Sequence, residues 1–456
     1  MYVCGPTVYD YFHIGNARAF LVPDVIRRYL EYTGYRVVQV LNFTDIDDKI
    51  IKTAQKEGVE SLLLAEKYIR EFFKDVEALG IKAADYYPRA RDHMQEIIDF
   101  IARLKEQGYV YESQGDLFFS VRSFDDYGSL SGQDLESLQE GVRIEADDRK
   151  RDPLDFVLWK EARPGEPTWE SPWGPGRPGW HTECCVMSRQ YLGEGFDIHT
   201  GGSDLIFPHH ENERAQSEAA TGTKFVSYWL HNGYINIEGE KMSKSLGNFF
   251  TTREVLEEFD PQALRYFLLS KHYRSPINFS REGLQEAVEG LKRIKNFLRS
   301  LKEELLRLRL GGEEKVLRAE EEFSYLQERE NNFLEAMDDD FNTARAIGHL
   351  QELVRSGNRL LNTGLSACPE NHALMQSYRK TLIRLAGILG LDLETYAREA
   401  EGQQQIGPLV DLLLDLRQKA RDSKDWEEAD LIRDHLGELG IAVEDGPQGS
   451  SWYPVE

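Results

Sequence analysis

The sequence predicts an α/β protein: a parallel sheet interrupted by an insertion, then a long helical region and a small C-terminal domain. Three observations carry that reading. Apolar runs alternate with helical patterns through residues 1–88, two of the apolar runs open into glycine turns at Gly5-Pro6 and Gly201-Gly202, and from Arg281 the pattern is amphipathic helix.

The first corner sets the frame. Met1-Tyr2-Val3-Cys4 is a short apolar start that breaks at Gly5-Pro6, and a polar turn delivers His13 and Gly15 to a helical pattern from Ala17 to about Tyr32. Such strand-to-helix corners bind phosphates. The helix N-terminus offers N–H groups and the positive end of the dipole, glycine lets the backbone come close, and an imidazole can donate a hydrogen bond. Tyr35 to Thr44 reads as the next buried strand, and Thr44-Asp45-Ile46-Asp47-Asp48-Lys49 as the cap of the following helix, with three carboxylates near its positive end. Ligands in open sheets gather at the strands' carboxyl ends, where His13 and Thr44 both fall.

Helical patterns follow at about 61–80 and 89–107. Tyr109 to Phe124 then alternates like strands, and 125–178 is polar and rich in Gly, Pro and Trp, an insertion that splits the sheet. The sheet resumes near Gly179, with a short helix after Gly179-Trp180-His181-Thr182-Glu183-Cys184 and a strand at Phe196 to Asp204. Pro208-His209-His210-Glu211-Asn212-Glu213 starts a further helix, with Pro near its first position. A mixed segment covers 236–285. From Arg281 to about Leu389 the chain reads as helix, including the charged run Glu303 to Glu322, which has the pattern of a solvated face. Residues 395–408 read as a linker, and 409–456 as one or two helices, a strand at Ile441-Ala442-Val443-Glu444 and an aromatic tail. There is no solenoid repeat and no low-complexity segment.

The 456 residues are enough for two to four domains. With 55 basic and 79 acidic residues the net charge is −24, which excludes a chain-wide nucleic-acid surface and confines any RNA contact to local basic patches. No apolar run is long enough to span a bilayer, and no basic region precedes an apolar core at the N-terminus, so no membrane partner and a cytoplasmic location are expected. Four cysteines, Cys4, Cys184, Cys185 and Cys368, are too few for a disulfide scaffold; metal or thiol chemistry is the expectation for the first three, and an inert role for Cys368.

A second motif gives the first corner its meaning. Glu240-Lys241-Met242-Ser243-Lys244-Ser245-Leu246-Gly247-Asn248 sets two lysines three residues apart among small hydroxyls, a pair of ammonium groups suited to the leaving group of a triphosphate. His13-Ile14-Gly15-Asn16 and Lys241-Met242-Ser243-Lys244-Ser245 together resemble the two signatures of class I aminoacyl-tRNA synthetases. Tyr2-Val3-Cys4-Gly5-Pro6-Thr7-Val8-Tyr9-Asp10 resembles the cysteinyl-tRNA synthetases in particular.

The resemblance spans essentially the whole chain. It implies a Rossmann-type catalytic domain at 1–88 and 179–235, split by a connective-peptide insertion at 89–178, and a stem-contact fold with the lysine loop at 236–285. It further implies an α-helical bundle for the anticodon stem at 286–400, where Met337-Asp338-Asp339-Asp340-Phe341-Asn342-Thr343 matches, and a C-terminal anticodon-recognition domain at 401–456. Members usually carry a short segment ahead of the position of Met1, so this sequence is expected to start inside the first strand.

His209 and Glu213, four apart on a predicted helix, leave from one face, a pattern shared by surface pairs and metal ligands. Cys4 and Cys184 both fall at strand–helix corners of the same sheet, and two thiolates, an imidazole and a carboxylate make a four-ligand zinc set. The resemblance supplies the assignment: zinc, one per chain, on Cys4, Cys184, His209 and Glu213, selecting a cysteine thiolate over a serine hydroxyl. Cys185 and His210, adjacent to ligands, are read as structural or as supports behind the ligands. The resemblance also sets Trp180 against the substrate side chain and Thr44 near the amino-acid pocket, Thr44 also reading as a helix N-cap.

The implied chemistry is adenylation of L-cysteine by ATP with Mg2+, then transfer to tRNA(Cys), by a chain expected to act as a monomer. His13, Lys241 and Lys244 are the catalytic candidates, with Gly15 and Asn16 shaping the ATP site. Asn16 departs from the usual histidine and keeps a donor. Arg421, Trp426, Asp430 and Asp445 match positions near the anticodon; each also fits a solvated helix face. Two rivals stand beside this reading: an ATP-dependent ligase of cysteine and an amino sugar on the same core, as in the mycothiol pathway, and a non-catalytic synthetase-like RNA-binding protein. The helical bundle and matching tail weigh against the first, and the intact signatures against the second.

Overall fold

The computed structural model describes residues 1–132, 147–237, 240–241, 249–309, 319–423, 425–439, 441–446 and 449–454. At its centre β1 (Tyr2–Val3) lies between β2 (Val40–Leu41) and β7 (Phe196–Gly202), and β7 carries β8 (Val226–Asn232) on its other side. Every pair is parallel, and Tyr2 faces Val40 on one side and His199 on the other. The chain leaves β1 through Gly5, whose N–H donates to Asn42 Oδ1 at 2.9 Å; a Cβ there would stand 1.6 Å from the Asn42 carbonyl oxygen, so only glycine fits.

The strand expected over 35–44 is shorter than its pattern. Tyr35 and Arg36 are exposed, and the Gln39 N–H donates to Asp85 Oδ2 at 2.8 Å, so a side chain takes the place of a ladder partner before Val40. The helix expected from Ala17 begins three residues earlier: α1 runs Ile14–Tyr32 with His13 as its N-cap. After β2 come α2 (Asp48–Glu57), α3 (Ser61–Ala78) and α4 (Met94–Glu106). The cap of α2 is Asp47, whose carboxylate accepts from the Lys49 N–H at 2.8 Å, and not Thr44, which is buried three residues upstream.

The insertion forms an antiparallel meander of β3 (Val110–Ser113), β4 (Asp116–Phe119), β5 (Phe156–Glu161) and β6 (Gly176–Pro178). Phe119, Phe156 and Trp159 share one buried cluster with Tyr2, Val40 and Ile97, and with α5 (Trp180–Leu192) and α6 (Glu211–Thr221). The helix expected from Pro208 starts instead at Glu211, after a wide turn broken at Phe207, whose φ and ψ are −134° and 132°.

Asp48 ties α2 to the insertion by accepting from Lys160 Nζ at 2.6 Å and from Arg177. Burial works to raise its pKa, but Lys160 and Arg177 outweigh burial and hold it at about 2. A depressed carboxylate stabilises the fold above its unfolded pKa of about 3.9 and loses that contribution as pH falls towards the folded value. Asp48→Asn is therefore expected to lower stability by a constant margin above about pH 5, with the gap to wild type closing between about pH 4 and 2. Paired urea titrations across that range check this; a gap that persists undiminished at pH 2 would contradict it.

Next come β9 (Ile235–Ile237), β10 (Glu240–Lys241) and β11 (Ile277–Phe279), in the order β10-β9-β11, with α7 (Thr252–Leu256) and α8 (Pro261–Leu269) between the last two in sequence. The fully buried Arg18 of α1 clamps this segment to the sheet, donating to the carbonyls of Gly233 at 2.8 Å, Ser275 at 2.7 Å and His272 at 3.0 Å.

The helical region comprises α9 (Arg281–Arg309), α10 (Ala319–Asp338), α11 (Thr343–Asn362) and α12 (Pro369–Ile388). Its core is continuous with α1 and α3: Phe20 and Leu64 belong to the same buried cluster as Phe333 and Leu385. The segment expected as a linker, 395–408, lies inside the helix α13 (Leu393–Asp422). Glu, Gln, Ala and Arg dominate it and are strong helix formers, which outweighs Gly402, Gly407 and the one hydrogen bond that Pro408 forgoes. The domain closes with α14 (Trp426–Glu438) and a hairpin of β12 (Ile441–Gly446) and β13 (Gly449–Pro454), the second strand being the aromatic tail. Among the described residues, no helix is long and apolar enough to cross a membrane.

Candidate active site and metal centre

A cavity of about 340 Å³ opens at the carboxyl ends of β1 and β7. His13, Gly15 and Asn16 line it from the start of α1, Cys4 and Trp180 from the metal end, and Asn232 to Ile235 from the exit of β8. His13 Nδ1 accepts from the Asn16 N–H at 3.2 Å, which places the ring proton on Nε2. One ring nitrogen thus caps α1 and leaves the other as a donor on a residue that lines the cavity.

The segment after the lysine motif is joined to this corner. Ile14 N–H donates to the Phe250 carbonyl at 3.3 Å, Thr252 N–H to the Phe12 carbonyl at 3.0 Å, and Phe249 meets the His13 ring edge-on at 5.3 Å. Upstream, Lys241 pairs with Asn236 in the β9–β10 ladder. Both flanks of the motif therefore sit at the cavity, since Ile235 and Phe249 line it; the side chain of Lys241 and the whole of Lys244 lie outside the described residues.

Cys4, Cys184, His209 and Glu213 converge, all buried, with their ligand atoms within 4.8 Å of one another. Cys4 Sγ is 3.4 Å and Cys184 Sγ 3.8 Å from His209 Nε2. Tetrahedral zinc bonds of about 2.3 Å to sulfur and 2.0–2.1 Å to nitrogen require sulfur and nitrogen about 3.6 Å apart, so the spacing fits. Glu213 Oε1 lies 2.8 Å from His209 Nε2 without hydrogen-bond alignment, a buried acceptor with no donor that a cation would satisfy. The donor set of two thiols, imidazole and carboxylate has the softness that zinc takes.

Electrostatics around the four ligands follow from burial and pairing. Burial opposes a charge on His209, but Glu213 and Cys184 outweigh it and lift the imidazole to about 10; Glu213 is held well below the carboxylate range by His199 and His209 in spite of its burial. The Cys184 thiol is pushed well up by the hydrogen-bonding Cys4 thiol beside it and by burial. A divalent cation reverses that balance by favouring thiolates and a neutral imidazole.

Two histidines that sequence reasoning passed over complete the centre. His181 Nδ1 lies 2.8 Å from His209 Nδ1, and His199 Nε2 lies 2.8 Å from Glu213 Oε2. They hold the far side of the His209 imidazole and of the Glu213 carboxylate, as partners of candidate ligands do. Their signals were faint: His181 stands three residues before Cys184, and His199 on β7 belongs to a strand whose histidine faces the core.

Trp180 stacks on His209 at 4.0 Å and 23° and is the partly exposed roof of the metal end. Cys185 turns away from the cluster, its Sγ donating to the carbonyls of His181 and Glu213 at 3.3 Å, and His210 pairs with His231 at 2.8 Å. Thr44 does not line the cavity. It is buried behind it, its N–H donating to the Pro6 carbonyl and its carbonyl accepting from the Val8 N–H, both at 3.2 Å.

In the C-terminal domain, Arg421 in the last turn of α13 and Trp426 at the start of α14 flank one turn, and Asp430 follows one helical turn later. Trp426 is 59% exposed, an unusual setting for its apolar area. Asp430 is 3.5 Å from Arg433 on the surface, and the side chain of Asp445, on β12, lies outside the described residues.

A parallel sheet with a split catalytic half, a stem-contact segment and a helical bundle is the architecture of a class I aminoacyl-tRNA synthetase. Residues 1–289 match the model of the tRNA synthetases class I (C) catalytic domain, 332–394 the DALR domain and 404–452 the cysteinyl-tRNA ligase anticodon binding domain. The chain is 52% identical over 457 residues to the cysteine–tRNA ligase of Heliobacterium modesticaldum, covering 99% of this chain and 94% of that one. It is 49% identical over 459 residues to that of Thermococcus onnurineus, covering 100% and 94%. The chain belongs to the cysteine–tRNA ligase family. Solved structures agree on the fold: methionyl-tRNA synthetase of Mycobacterium tuberculosis, with methionyl-adenylate, superposes at a TM-score of 0.60 and 18% identity over 91% of this chain and 93% of that one. The LeuRS of Agrobacterium radiobacter K84, in a ternary complex with tRNA, gives 0.64 at 13% identity over 87% and 85%.

Proposed function

We propose that this chain, acting in the cytoplasm as a monomer, joins L-cysteine to tRNA(Cys) with ATP, giving cysteinyl-tRNA(Cys), AMP and pyrophosphate. The observation that carries the reading is the convergence of Cys4, Cys184, His209 and Glu213 at one end of the cavity that His13, Gly15 and Asn16 also line. A thiol-selecting end and a phosphate-binding end share one space. The match of 404–452 to an anticodon binding domain favours tRNA over an amino sugar as acceptor.

In the first step a cysteine carboxylate oxygen attacks the α-phosphorus of ATP, the bond to the bridging oxygen of the β-phosphate breaks, and pyrophosphate leaves. The protein supplies position and charge and no nucleophile. His13 donates from Nε2 to a phosphate oxygen, and Lys241 and Lys244 neutralise charge on the departing pyrophosphate, alongside the Mg2+ that accompanies ATP. Gly15 admits the nucleotide to the backbone, and Asn16 spends its N–H on His13, a task that asks for no imidazole at that position. Zinc held by the four ligands would supply a soft Lewis acid that favours a thiolate over a hydroxyl. Trp180 covers the substrate side chain, and Thr44 supports the Gly5–Val8 turn from behind. In the second step the terminal ribose hydroxyl of tRNA attacks the mixed anhydride and AMP leaves, while Arg421, Trp426, Asp430 and Asp445 read the anticodon by stacking and hydrogen bonds.

The domain division at 1–88, 89–178, 179–235, 236–285, 286–400 and 401–456 is part of this proposal, with the last boundary passing through α13 as a working division of one helix.

Cysteine-dependent ATP–pyrophosphate exchange tests the reading, on zinc-loaded and zinc-stripped protein, with serine as control. Exchange is expected with cysteine and zinc together and with neither serine nor stripped protein. Absence of exchange from folded, zinc-loaded protein would refute adenylation. Charging of tRNA(Cys) with labelled cysteine then separates tRNA from amino-sugar acceptors.

A further inference from the structure

The acidic turn between α10 and α11 is left unexplained by the reaction. Asp340 and Phe341 both adopt left-handed backbone, with φ of 54° and 53°, and neither is glycine. Such a conformation persists where its surroundings hold it. Within the bundle the Phe341 N–H donates to the Met337 carbonyl and the Asn342 N–H to the Ala336 carbonyl, both at 3.0 Å, and the side chains are held from outside it. Asp340 Oδ1 accepts from the Tyr273 hydroxyl at 2.7 Å and from Arg274 Nη2 at 3.0 Å, and Oδ2 accepts from Arg274 Nε at 2.5 Å. His272 Nε2 is 3.7 Å from the same carboxylate. Phe341 meets Tyr29 of α1 edge-on at 6.2 Å, and Thr343 donates to the Leu269 carbonyl at 2.8 Å.

The segment that receives Asp340 is also the backing of the cavity wall. The Gly233 N–H donates to the Tyr273 carbonyl at 2.8 Å, and the Ile277 N–H to the Tyr234 carbonyl at 3.0 Å. Arg18 binds the carbonyls of His272, Ser275 and Gly233 with one guanidinium. The two backbones are so close that a Cβ on Gly233 would stand 2.7 Å from the Arg274 and Ser275 carbonyl oxygens. Gly233 and Tyr234 line the cavity shared with His13, Gly15 and Asn16. Tyr273 thus holds the bundle's carboxylate with its hydroxyl and the cavity wall with its carbonyl.

We propose that Asp340 is a positioning residue for ATP: through Tyr273 and Arg274 it fixes the His272–Ser275 segment and so sets the Asn232–Tyr234 wall of the nucleotide end of the cavity. The inference rests on the reading of that end as the ATP site. The metal end is built from Cys4, α5, the turn before α6 and Glu213 on α6; no hydrogen bond described above joins it to His272–Ser275, and its His210–His231 pair holds β8 one residue before the wall. A displaced wall therefore weakens ATP binding and leaves cysteine binding alone.

The test is steady-state ATP–pyrophosphate exchange, without tRNA, for wild type, Asp340→Ala, Asp340→Asn, Tyr273→Phe and the Asp340→Ala/Tyr273→Phe double variant. Asp340→Ala is expected to raise the KM for ATP about tenfold while the KM for cysteine stays within about twofold, because small misplacements of a binding wall are costly. Asp340→Asn, which keeps an acceptor for Tyr273 and loses the charge facing Arg274, should fall between. The double variant should be no worse than Asp340→Ala alone, since both changes break one link. A merely structural role would lower the active fraction and kcat with both KM values unchanged. An ATP KM within about twofold of wild type in Asp340→Ala, or additive effects in the double variant, overturns the proposal. If Asp340→Ala does not fold, Tyr273→Phe decides: the proposal requires its ATP KM to rise about threefold and is refuted if it does not. Failure of wild type to exchange would refute the ATP reading of the cavity and is thereby distinguished from failure of the role given to Asp340.

Discussion

Replacing Cys184 with serine is expected to remove the bound zinc and cysteine activation together. Cys184 is fully buried on α5 with its sulfur 3.8 Å from His209 Nε2, and its thiol pKa is pushed well up by the neighbouring Cys4 thiol, a hydrogen-bond partner, and by burial. Only a cation in the centre reverses that, and a serine hydroxyl is too weak an acid to ligate as an anion. Three ligands then remain around a site sized for four. Loss of a group that merely orients a ligand weakens metal binding about 10–100-fold, and loss of a ligand itself exceeds that range. Zinc content is expected to fall from one per chain to under about a tenth after dialysis against a chelator, and cysteine-dependent exchange by about 10³-fold or more. His181→Asn is the calibrating variant: it leaves the four ligands and removes the imidazole facing His209 Nδ1, so binding should weaken by about 10–100-fold. Metal analysis alongside circular dichroism checks both. Full zinc content in folded Cys184→Ser would show that these four side chains are not the ligand set.

What the sequence made legible was chemistry tied to a local pattern. The turn at Gly5-Pro6 and the helix start at His13 are written in residues that few other conformations accept, and Cys4, Cys184, His209 and Glu213 are residue types with narrow uses once brought together. The gathering itself was not legible from spacing, because the cluster draws on the end of β1, on α5, on the turn into α6 and on α6, which the parallel order β2-β1-β7-β8 and the bonds of Gln216 to Thr182 and His181 bring together. Where two groups offer the same bond, the pattern misled. Thr44 and Asp47 can each cap α2, and the choice falls to Asp47 because α2 begins directly after it, while the Thr44 backbone is engaged with Pro6 and Val8 behind the cavity. Residues 395–408, with their Glu, Gln and Gly, read as a linker, yet α13 runs through them, since the one hydrogen bond missing at Pro408 does not stop thirty residues of helix. His181 and His199 gave only a faint signal because a residue that acts on a ligand's far side has no spacing rule of its own.

Arg265→Ala is expected to be the most destabilising single change away from the metal centre, at about 3–5 kcal/mol. Arg265 and Asp24 are both fully buried and ion-paired, and the same guanidinium donates to the carbonyls of Leu389 at 2.7 Å, Leu79 at 3.2 Å and Gly80 at 3.3 Å. It thereby ties α8 to α1, to the end of α3 and to the end of α12. Burial opposes the charge on Asp24, but Arg265 and Arg28 outweigh it and hold the carboxyl below its ordinary range. Truncation leaves a buried carboxylate with one partner fewer and the Leu389 carbonyl without its donor, and neither cost is recovered from solvent. The neighbourhood is shaped for this side chain: Gly390 has a φ of 70°, and a Cβ there would stand 2.0 Å from Arg265 Nη2. Arg265→Lys keeps the charge but lacks the fork that reaches three carbonyls, so it should recover less than half of the loss. Arg28→Ala, which removes a partly exposed partner of the same carboxylate, should cost about 1 kcal/mol or less. Urea unfolding monitored by circular dichroism, with hydrogen exchange at 79–82 and 389–391, reads the three variants. An unchanged midpoint in Arg265→Ala would mean that the junction between the sheet and the bundle is held by apolar contact alone.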